Sequence, residues 1–316
     1  MTTTPHPPLP VLFLGGIGRS GSTVFELSLG TDDRVVALGE VVHLWQRCLL
    51  DGEPCGCGAS FADCPFWARV GQVAFGGWDQ LDAHRVVDLK RRIDRTVRAP
   101  QLAVRGGGRA WLTDVREYAS YYGRVYSAAA AVSGRELVID SSKQASLPFV
   151  LQYAEGLDLR VLHCVRDSRA VAYAWTKTVR RPESLQGDTA YMKTYPPAVL
   201  AMKWMQHNLT IEALRLLRVP TMRVRYEDWS AAPTDTVGAA LDFAGLDRRA
   251  NPRLDDEWID LTTTHTCSGN PLRFTRGRIE IRRDEKWRTA LPRRSRRLVS
   301  ALTVPGLAGY GYLGAS

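Results

Sequence analysis

Short apolar runs alternate with longer amphipathic segments along most of the chain. The short runs have the length and nearly continuous apolar character of strands that are buried on both faces. The longer segments repeat apolar residues at helical spacing. Strands are predicted at residues 11–14, 34–38, 137–139, 159–165 and 221–225. Helices are predicted at about residues 41–50, 78–97, 113–132, 169–179 and 198–217, with another from about 145.

This alternation predicts an α/β fold, a three-layer arrangement like that of phosphate-loop proteins, with a central parallel sheet flanked by helices. Residues 1–9 are rich in Pro and Thr and are predicted to form a disordered tail. Residues 10–316 are predicted to form one domain, which carries a cysteine-containing insertion at about 48–67. We find no linker long enough to separate two domains.

Composition narrows the class of ligand. The chain has 316 residues, with 42 Lys and Arg against 33 Asp and Glu, and its net charge of +9 favours an anionic ligand. Eleven Lys and Arg lie between Arg273 and Arg297, but acidic residues interrupt them and no nucleic-acid-binding motif accompanies them, so no nucleic-acid partner is predicted. The absence of a long apolar run and of a signal peptide predicts a cytoplasmic protein without a membrane span.

Four cysteines lie close together in the insertion. Cys48, Cys55, Cys57 and Cys64 have the spacing C-x6-C-x-C-x6-C, which is not a standard zinc-finger spacing. We favour a reduced, packed loop, so no metal is predicted. A structural zinc site and disulfide bonds are the alternatives.

Charged and hydroxyl residues follow four of the predicted strands, either directly or within the loop after the strand. They are Arg19-Ser20, Ser142-Lys143, Arg166-Asp167 and Tyr226-Glu227. Ligands of open α/β sheets bind outside the carboxyl ends of the strands. These residues are therefore expected to surround one site.

The loop after the first strand indicates the chemistry of that site. Residues 16–23 nearly fit the phosphate-loop pattern G-x-x-x-x-G-K-[ST], but Ser22 stands where the lysine belongs and the cation is Arg19. A nucleotide triphosphatase needs that lysine and a magnesium site. A sulfuryl group carries less charge than a phosphoryl group, so fixed cations and N–H groups can stabilise its transfer without metal.

Four segments resemble, in order, those of sulfotransferases that use 3′-phosphoadenylyl sulfate (PAPS). Residues 18–23, GRSGST, resemble the 5′-phosphosulfate loop, and residues 165–173, VRDSRAVAY, resemble the 3′-phosphate segment. Residues 225–228, RYED, resemble a conserved strand end of the family. Residues 268–273, SGNPLR, followed by DEKW at 284–287, resemble the cofactor-covering segment of bacterial members.

The resemblance implies a set of cofactor-binding residues. Arg166 would bind the 3′-phosphate, Tyr226 would lie near the adenine, and Arg273 would close over the 3′-phosphate side. Ala174 stands where the family has serine, and Ser168 where it has proline. The 5′-phosphosulfate would be held by the loop residues Gly18, Arg19, Ser20, Gly21, Ser22 and Thr23, and the covering segment would contribute Gly269 and Asn270.

The resemblance also implies catalytic residues. Glu40 follows a Gly, as the catalytic glutamate does in the related tyrosylprotein sulfotransferases, and would act as the base, with Arg19 and Lys143 stabilising charge. Burial would raise the pKa of Glu40, whereas the two cations would lower it. A helix cap is the alternative role for Glu40. The further candidates are His43 and His265 as competing bases, and Ser142 and Ser268 as donors to the sulfuryl oxygens.

The sequence therefore predicts a PAPS-dependent sulfotransferase that acts on a hydroxyl of a small-molecule acceptor and releases adenosine 3′,5′-bisphosphate, with no metal required. A phosphate-loop kinase and a catalytically silent nucleotide-binding protein are the alternatives. Residues 45–120 and 181–197 are expected to shape the acceptor pocket. Its apolar lining would come from Trp45, Phe61, Phe66, Trp67, Trp78 and Tyr195.

Overall fold

A five-stranded parallel sheet forms the centre of the protein, as described by a computed structural model that covers residues 7–178, 191 and 194–314. The strand order is β2-β3-β1-β4-β5, and all four neighbouring pairs are parallel. The five strands are β1 (Leu9–Gly15), β2 (Val35–Ala37), β3 (Leu137–Lys143), β4 (Leu157–Val165) and β5 (Thr221–Arg225). The predicted α/β fold with a central parallel sheet is confirmed.

Helices cover the sheet. They are α1 (Ser22–Leu29), α2 (Pro65–Phe75), α3 (Ala83–Ile93), α4 (Ala99–Ala103), α5 (Arg109–Ser133), α6 (Leu147–Leu151), α7 (Ser168–Thr176), α8 (Pro197–Glu212), α9 (Tyr226–Ala231), α10 (Pro233–Ala244), α11 (Trp287–Ala290) and α12 (Arg293–Gly309). Strands β6 (Trp258–Leu261) and β7 (Gly277–Glu280) form a separate two-stranded antiparallel sheet.

The side chains of β1 divide the core into two layers. Val11 and Phe13 pack in a cluster that includes residues of α2, α3, α5 and α6. Leu12 and Leu14 point the other way and pack with residues of α1 and α10. This alternation follows from the two-residue period of a strand. All four residues are buried, as expected for a central parallel strand.

Several predicted helices differ from the observed ones. The segment at 41–50 is a 3-10 turn, Val41–His43, followed by a π-helix, Leu44–Leu50. The predicted helix at 78–97 is shorter, because Asp82 caps α3 by accepting from the N–H of Arg85. Residues before that cap form the separate 3-10 turn Trp78–Gln80. Elements after residue 230 were not predicted.

The aromatic residues expected to line the acceptor pocket belong mostly to the core of the insertion. Trp45 and Trp67 are fully buried. Phe61 packs between Trp67 and Trp78, with ring centroids 5.1 Å and 6.0 Å apart. These large rings thus contact one another in the interior. Of the six residues, only Tyr195 lines the open cavity at the strand ends.

The first strand begins one residue before the predicted start of the domain. Strand β1 begins at Leu9, whose N–H donates to the carbonyl of Gly156. The last residue of the predicted tail is therefore part of the sheet.

Residues 1–6 lie outside the described residues, as do 179–190 and 192–193, most of which belong to the predicted acceptor segment 181–197. Among the helices of the described residues, none combines the length and apolarity that crossing a membrane requires.

Candidate active site

An open cavity of about 680 Å³ lies at the carboxyl ends of β1, β3 and β4. Its walls come from the loop after β1, from Glu40 and Lys143, from Arg166, and from residues 269–272. The structure therefore brings together residues from all the strand ends that the sequence singled out. A second depression of about 910 Å³ lies along α5 and contains none of the predicted site residues.

The loop after β1 presents main-chain N–H groups to the cavity. The first helical hydrogen bond of α1 runs from the N–H of Phe25 to the carbonyl of Gly21 at 3.1 Å. The N–H groups of residues 22–24 consequently lie at the open end of α1, where a helix favours an anion. Gly18, Gly21, Ser22 and Thr23 all line the cavity.

Glycine is required at position 21 for two reasons. Its φ of +88° lies in the left-handed region. A Cβ there would lie 2.5 Å from Cδ2 of Tyr226. The loop can therefore pass close under the Tyr226 ring, which also lines the cavity.

Arg19 supplies the positive charge of the loop. Its guanidinium lies 5.9 Å from the centre of the Trp175 ring. Burial lowers the pKa of Arg19, while the charge of Glu40 acts to raise it. Ser20 next to it is buried, and its hydroxyl has no hydrogen-bond partner among the described residues. A buried hydroxyl without a partner is consistent with a ligand oxygen at this loop.

Glu40 and Lys143 form an ion pair in the cavity wall. Lys143 Nζ donates to Glu40 Oε1 at 2.5 Å, and Glu40 Oε2 lies 3.4 Å from His43 Nε2. Burial opposes ionisation of Glu40, but Lys143 and His43 outweigh it and hold the pKa of Glu40 well below its usual range. Burial lowers the pKa of His43. The cavity wall thus brings a carboxyl group, an amino group and an imidazole into contact.

Glu26, which the sequence reasoning missed, holds the turn that carries Glu40. One carboxyl oxygen of Glu26 accepts from the N–H of Gly39 at 2.8 Å, and the other accepts from the hydroxyl of Ser141 at 2.6 Å. Burial raises the pKa of Glu26 to about 7. The only sequence signal was an acidic residue between the apolar residues Phe25 and Leu27 of α1.

The hydroxyl of Ser142 is already used by the protein. It donates to Asp140 and accepts from the N–H of Val42 at 2.9 Å. Asp140 is fully buried and also accepts from Tyr126. Ser142 lines the cavity, but its hydroxyl is fixed towards the interior in this arrangement.

Arg166 is buried beneath the Tyr226 ring and paired with an acid. Its guanidinium carbon lies 4.2 Å from the ring centre. Its Nη2 lies 3.2 Å from Asp284 Oδ2 and 3.0 Å from the Asp284 carbonyl. Its Nε has no hydrogen-bond partner among the described residues. Ala174 lines the cavity nearby, whereas Ser168 is bonded to Thr303 in the interior and cannot replace the missing serine hydroxyl there.

Only some of the predicted residues of the covering segment line the cavity. Gly269 and Asn270 line the cavity. Arg273 does not, because its guanidinium is buried against Glu53 at 3.2 Å and donates to the carbonyl of Thr266. Ser268 is also outside the lining, with its hydroxyl bonded to Arg47 at 2.6 Å. Both residues support the segment rather than face the cavity.

His265 and three cysteines of the insertion lie together. His265 does not line the cavity but lies beside Cys55, Cys57 and Cys64. Cys48 is not part of that group. All six cysteines are free thiols. The reduced, packed loop stays a prediction, and the four cysteines considered for zinc do not all meet at one point.

Comparison with known proteins gives a consistent family. Residues 10–250 match the Sulfotransferase family. Carbohydrate sulfotransferase 3 of Homo sapiens is 28% identical over 178 residues, which are 52% of this chain and 36% of that protein. The chain thus spans about a third of that relative.

Two solved structures are similar in outline. The sulfotransferase domain of the Synechococcus olefin synthase is 20% identical, with 95% of this chain and 96% of that domain covered at a TM-score of 0.44. A sulfotransferase from Mycobacterium avium is 13% identical, with 96% of this chain and 77% of that one covered at a TM-score of 0.46.

The low pKa of Glu40 should depend on Lys143. The Lys143→Met variant keeps a long side chain but removes the ammonium, so burial would then dominate and the pKa of Glu40 should rise by about 1–3. Carbon-13 NMR titration of the Glu40 carboxyl measures this change. Lys177→Met is the matched control, because Lys177 lines the same cavity without pairing to Glu40. An unchanged Glu40 titration in Lys143→Met would contradict the assigned cause.

Proposed function

This chain belongs to the sulfotransferase family, and we propose that it transfers a sulfuryl group from PAPS to a hydroxyl of a small-molecule acceptor. One observation is the main support for this proposal. A carboxylate and an ammonium, Glu40 and Lys143, share one cavity with the open N-terminus of α1 and the cation Arg19. This combination provides an anion-binding end, a base and a charge-stabilising group within reach of one ligand.

The donor side of the cavity suits a nucleotide with phosphate groups at both ends. The loop at residues 18–23 offers N–H groups and Arg19 to the 5′-phosphosulfate. Arg166 offers a planar guanidinium to the 3′-phosphate, for which bidentate geometry is favourable. The Nε of Arg166 and the hydroxyl of Ser20 have no hydrogen-bond partner among the described residues, so both can donate to a polyanionic ligand. Tyr226 lies between these groups and can contact the adenine.

PAPS would supply the activated sulfuryl group. Transfer breaks the bond between sulfur and the phosphate oxygen, forms a bond between sulfur and the acceptor oxygen, and releases adenosine 3′,5′-bisphosphate. Glu40 takes the proton of the acceptor hydroxyl. Lys143 and Arg19 face the negative charge that develops on the departing phosphate oxygen. His43, next to Glu40, orients the carboxylate.

The low pKa of free Glu40 is compatible with its role as base. Lys143 holds the carboxylate ionised and ready before the acceptor arrives. When Lys143 turns to the departing oxygen, Glu40 loses its strongest partner and becomes a better proton acceptor, because burial then favours its neutral form.

The acceptor side of the cavity is partly aromatic and partly basic. Trp175 and Tyr195 line it, with ring centroids 5.1 Å apart. Lys177, Lys203 and His207 line the same cavity. A volume of about 680 Å³ is within the range of small-molecule sites. The proposal therefore retains a small molecule as acceptor.

A phosphate-loop kinase is the less favoured function. Asp140, the acid at the end of a buried strand that such an enzyme would use for magnesium, is bonded to Tyr126 and Ser142 and does not line the cavity. Ser22 stands where the kinase lysine would be.

Ligand binding tests the proposed function directly. Adenosine 3′,5′-bisphosphate should bind without magnesium and should raise the melting temperature more than ATP does. Magnesium is omitted rather than chelated, so that other metal sites remain undisturbed. Binding of ATP alone, and only with magnesium, would favour the kinase. Tight binding of PAPS without turnover across an acceptor screen would indicate the silent nucleotide-binding protein.

Arg166 and Asp284 should have opposite effects on the affinity for adenosine 3′,5′-bisphosphate. Arg166→Ala should weaken binding by about 1.5–3 kcal/mol, the scale of a lost hydrogen bond to a charged group. Asp284→Asn should strengthen binding, because Asp284 competes with the phosphate for Arg166. Calorimetry measures both, and Arg278→Ala controls for the loss of a surface cation. Equal affinities in all variants would remove Arg166 from the site.

Glu40→Gln should separate the chemical step from binding. Gln keeps the size of the side chain but cannot take the proton, so kcat should fall by about 10²–10⁴. The affinity for adenosine 3′,5′-bisphosphate should not fall, because Glu40 acts on the acceptor and the groups that bind the nucleotide are unchanged. Near-normal kcat in Glu40→Gln, together with a large loss in His43→Gln, would instead assign the base to His43.

A further inference from the structure

Three cysteines of the insertion meet a histidine from a distant part of the chain. The Sγ atoms of Cys55, Cys57 and Cys64 and Nδ1 of His265 all lie within 4.8 Å of one another. Cys55 and Cys64 are fully buried, and Cys57 and His265 are half-buried. This group, which we call the Cys3His cluster, has no part in the reaction proposed above.

The spacing of the four atoms fits a tetrahedral metal site. Cys64 Sγ lies 3.5 Å from Cys55 Sγ, 3.9 Å from Cys57 Sγ and 3.3 Å from His265 Nδ1. Cys55 Sγ lies 3.7 Å from the same nitrogen. Zinc bonds of about 2.3 Å to sulfur and about 2.0–2.1 Å to nitrogen would separate tetrahedral ligands by about 3.5–3.8 Å. A disulfide would instead need about 2.0 Å between sulfurs.

Main-chain N–H groups lie around these sulfurs. The N–H groups of Cys57, Ala59 and Trp67 lie next to the sulfurs of Cys55, Cys57 and Cys64, respectively. N–H groups around ligand atoms are typical of metal sites, where they orient the ligands.

Contacts with neighbouring residues fix the position of His265. Its ring stacks on Phe66, with centroids 5.1 Å apart and planes 19° apart. Its carbonyl accepts from Trp67 Nε1 at 2.7 Å. The N–H of Gly56 donates to the carbonyl of the next residue, Thr266, at 2.8 Å. The insertion and the covering segment are thus already aligned where the ligands meet.

We propose that Cys55, Cys57, Cys64 and His265 bind one zinc ion in a closed, structural site. Three soft thiolates and an imidazole favour zinc over magnesium or calcium. The four protein ligands complete the tetrahedron and leave no position for a substrate, as in structural rather than catalytic zinc sites.

The site would fix the covering segment against Glu40. Two residues after His265, the N–H of Cys267 donates to the carbonyl of Leu38 at 2.8 Å, and its carbonyl accepts from the N–H of Glu40 at 2.9 Å. Gly269 then approaches the Glu40 side chain, since a Cβ there would lie 3.0 Å from Oε1. Zinc would therefore anchor, through His265, the strand-like segment that positions the proposed base.

Metal analysis of the purified protein tests the proposal. We expect one zinc per chain in the wild type and near-complete loss of zinc in Cys57→Ser. Cys48→Ser is the matched control, because Cys48 lies in the same insertion but outside the cluster, and it should retain the zinc. Zinc lost equally from both variants, or retained in Cys57→Ser, would overturn the assignment.

A measurement on the wild-type chain covers the case in which Cys57→Ser does not fold. Chelation of the metal should lower the melting temperature, and added zinc should restore it. Cobalt in place of zinc should give thiolate-to-metal charge-transfer absorption. Metal-free wild-type protein that gains no such absorption with cobalt, or a disulfide mapped between two of the three cysteines in freshly purified protein, would refute the site.

Discussion

The parallel pairing of β1 with strands on both sides is the constraint on which the site depends. In the sheet register Gly15 lies opposite Lys143 of β3 and opposite His163 of β4. Adjacent strands are about 4.8 Å apart. The glycine loop, Lys143 and Arg166 therefore emerge side by side at one edge, and their separation is set by backbone hydrogen bonds rather than by side-chain packing.

Glu40 is placed by a different set of forces. It follows the short edge strand β2 and has three supports from distant parts of the chain. Glu26 holds the preceding N–H, Lys143 binds the carboxylate, and Cys267 pairs with the main chain. Because each support is buried or half-buried, loss of one would leave polar groups unsatisfied. These supports would hold Glu40 in the fixed position that the proposed base requires.

The cavity contains two pairs of opposite charge. Lys143 is held by Glu40, and Arg166 is held by Asp284. Taking an unpaired charge out of water is costly, so a cation that awaits an anionic ligand is stabilised by an acid of the protein in the meantime. In the proposed function, a bound nucleotide would replace Asp284 at Arg166, and Glu40 would act as the base.

The sequence by itself determined the strands, the glycine loop and the residues that directly follow strands. Apolar runs and glycines are local features of the sequence. The strands also fix the positions of the residues at their ends, Arg166, Lys143 and Tyr226. Only the tertiary structure decided that Arg273 turns to Glu53, that His265 joins three cysteines while Cys48 does not, and that Glu26 supports Glu40. Arg273 and Glu53 are 220 residues apart. No local pattern encodes such a contact, because it depends on how two irregular segments pack together after the sheet has formed.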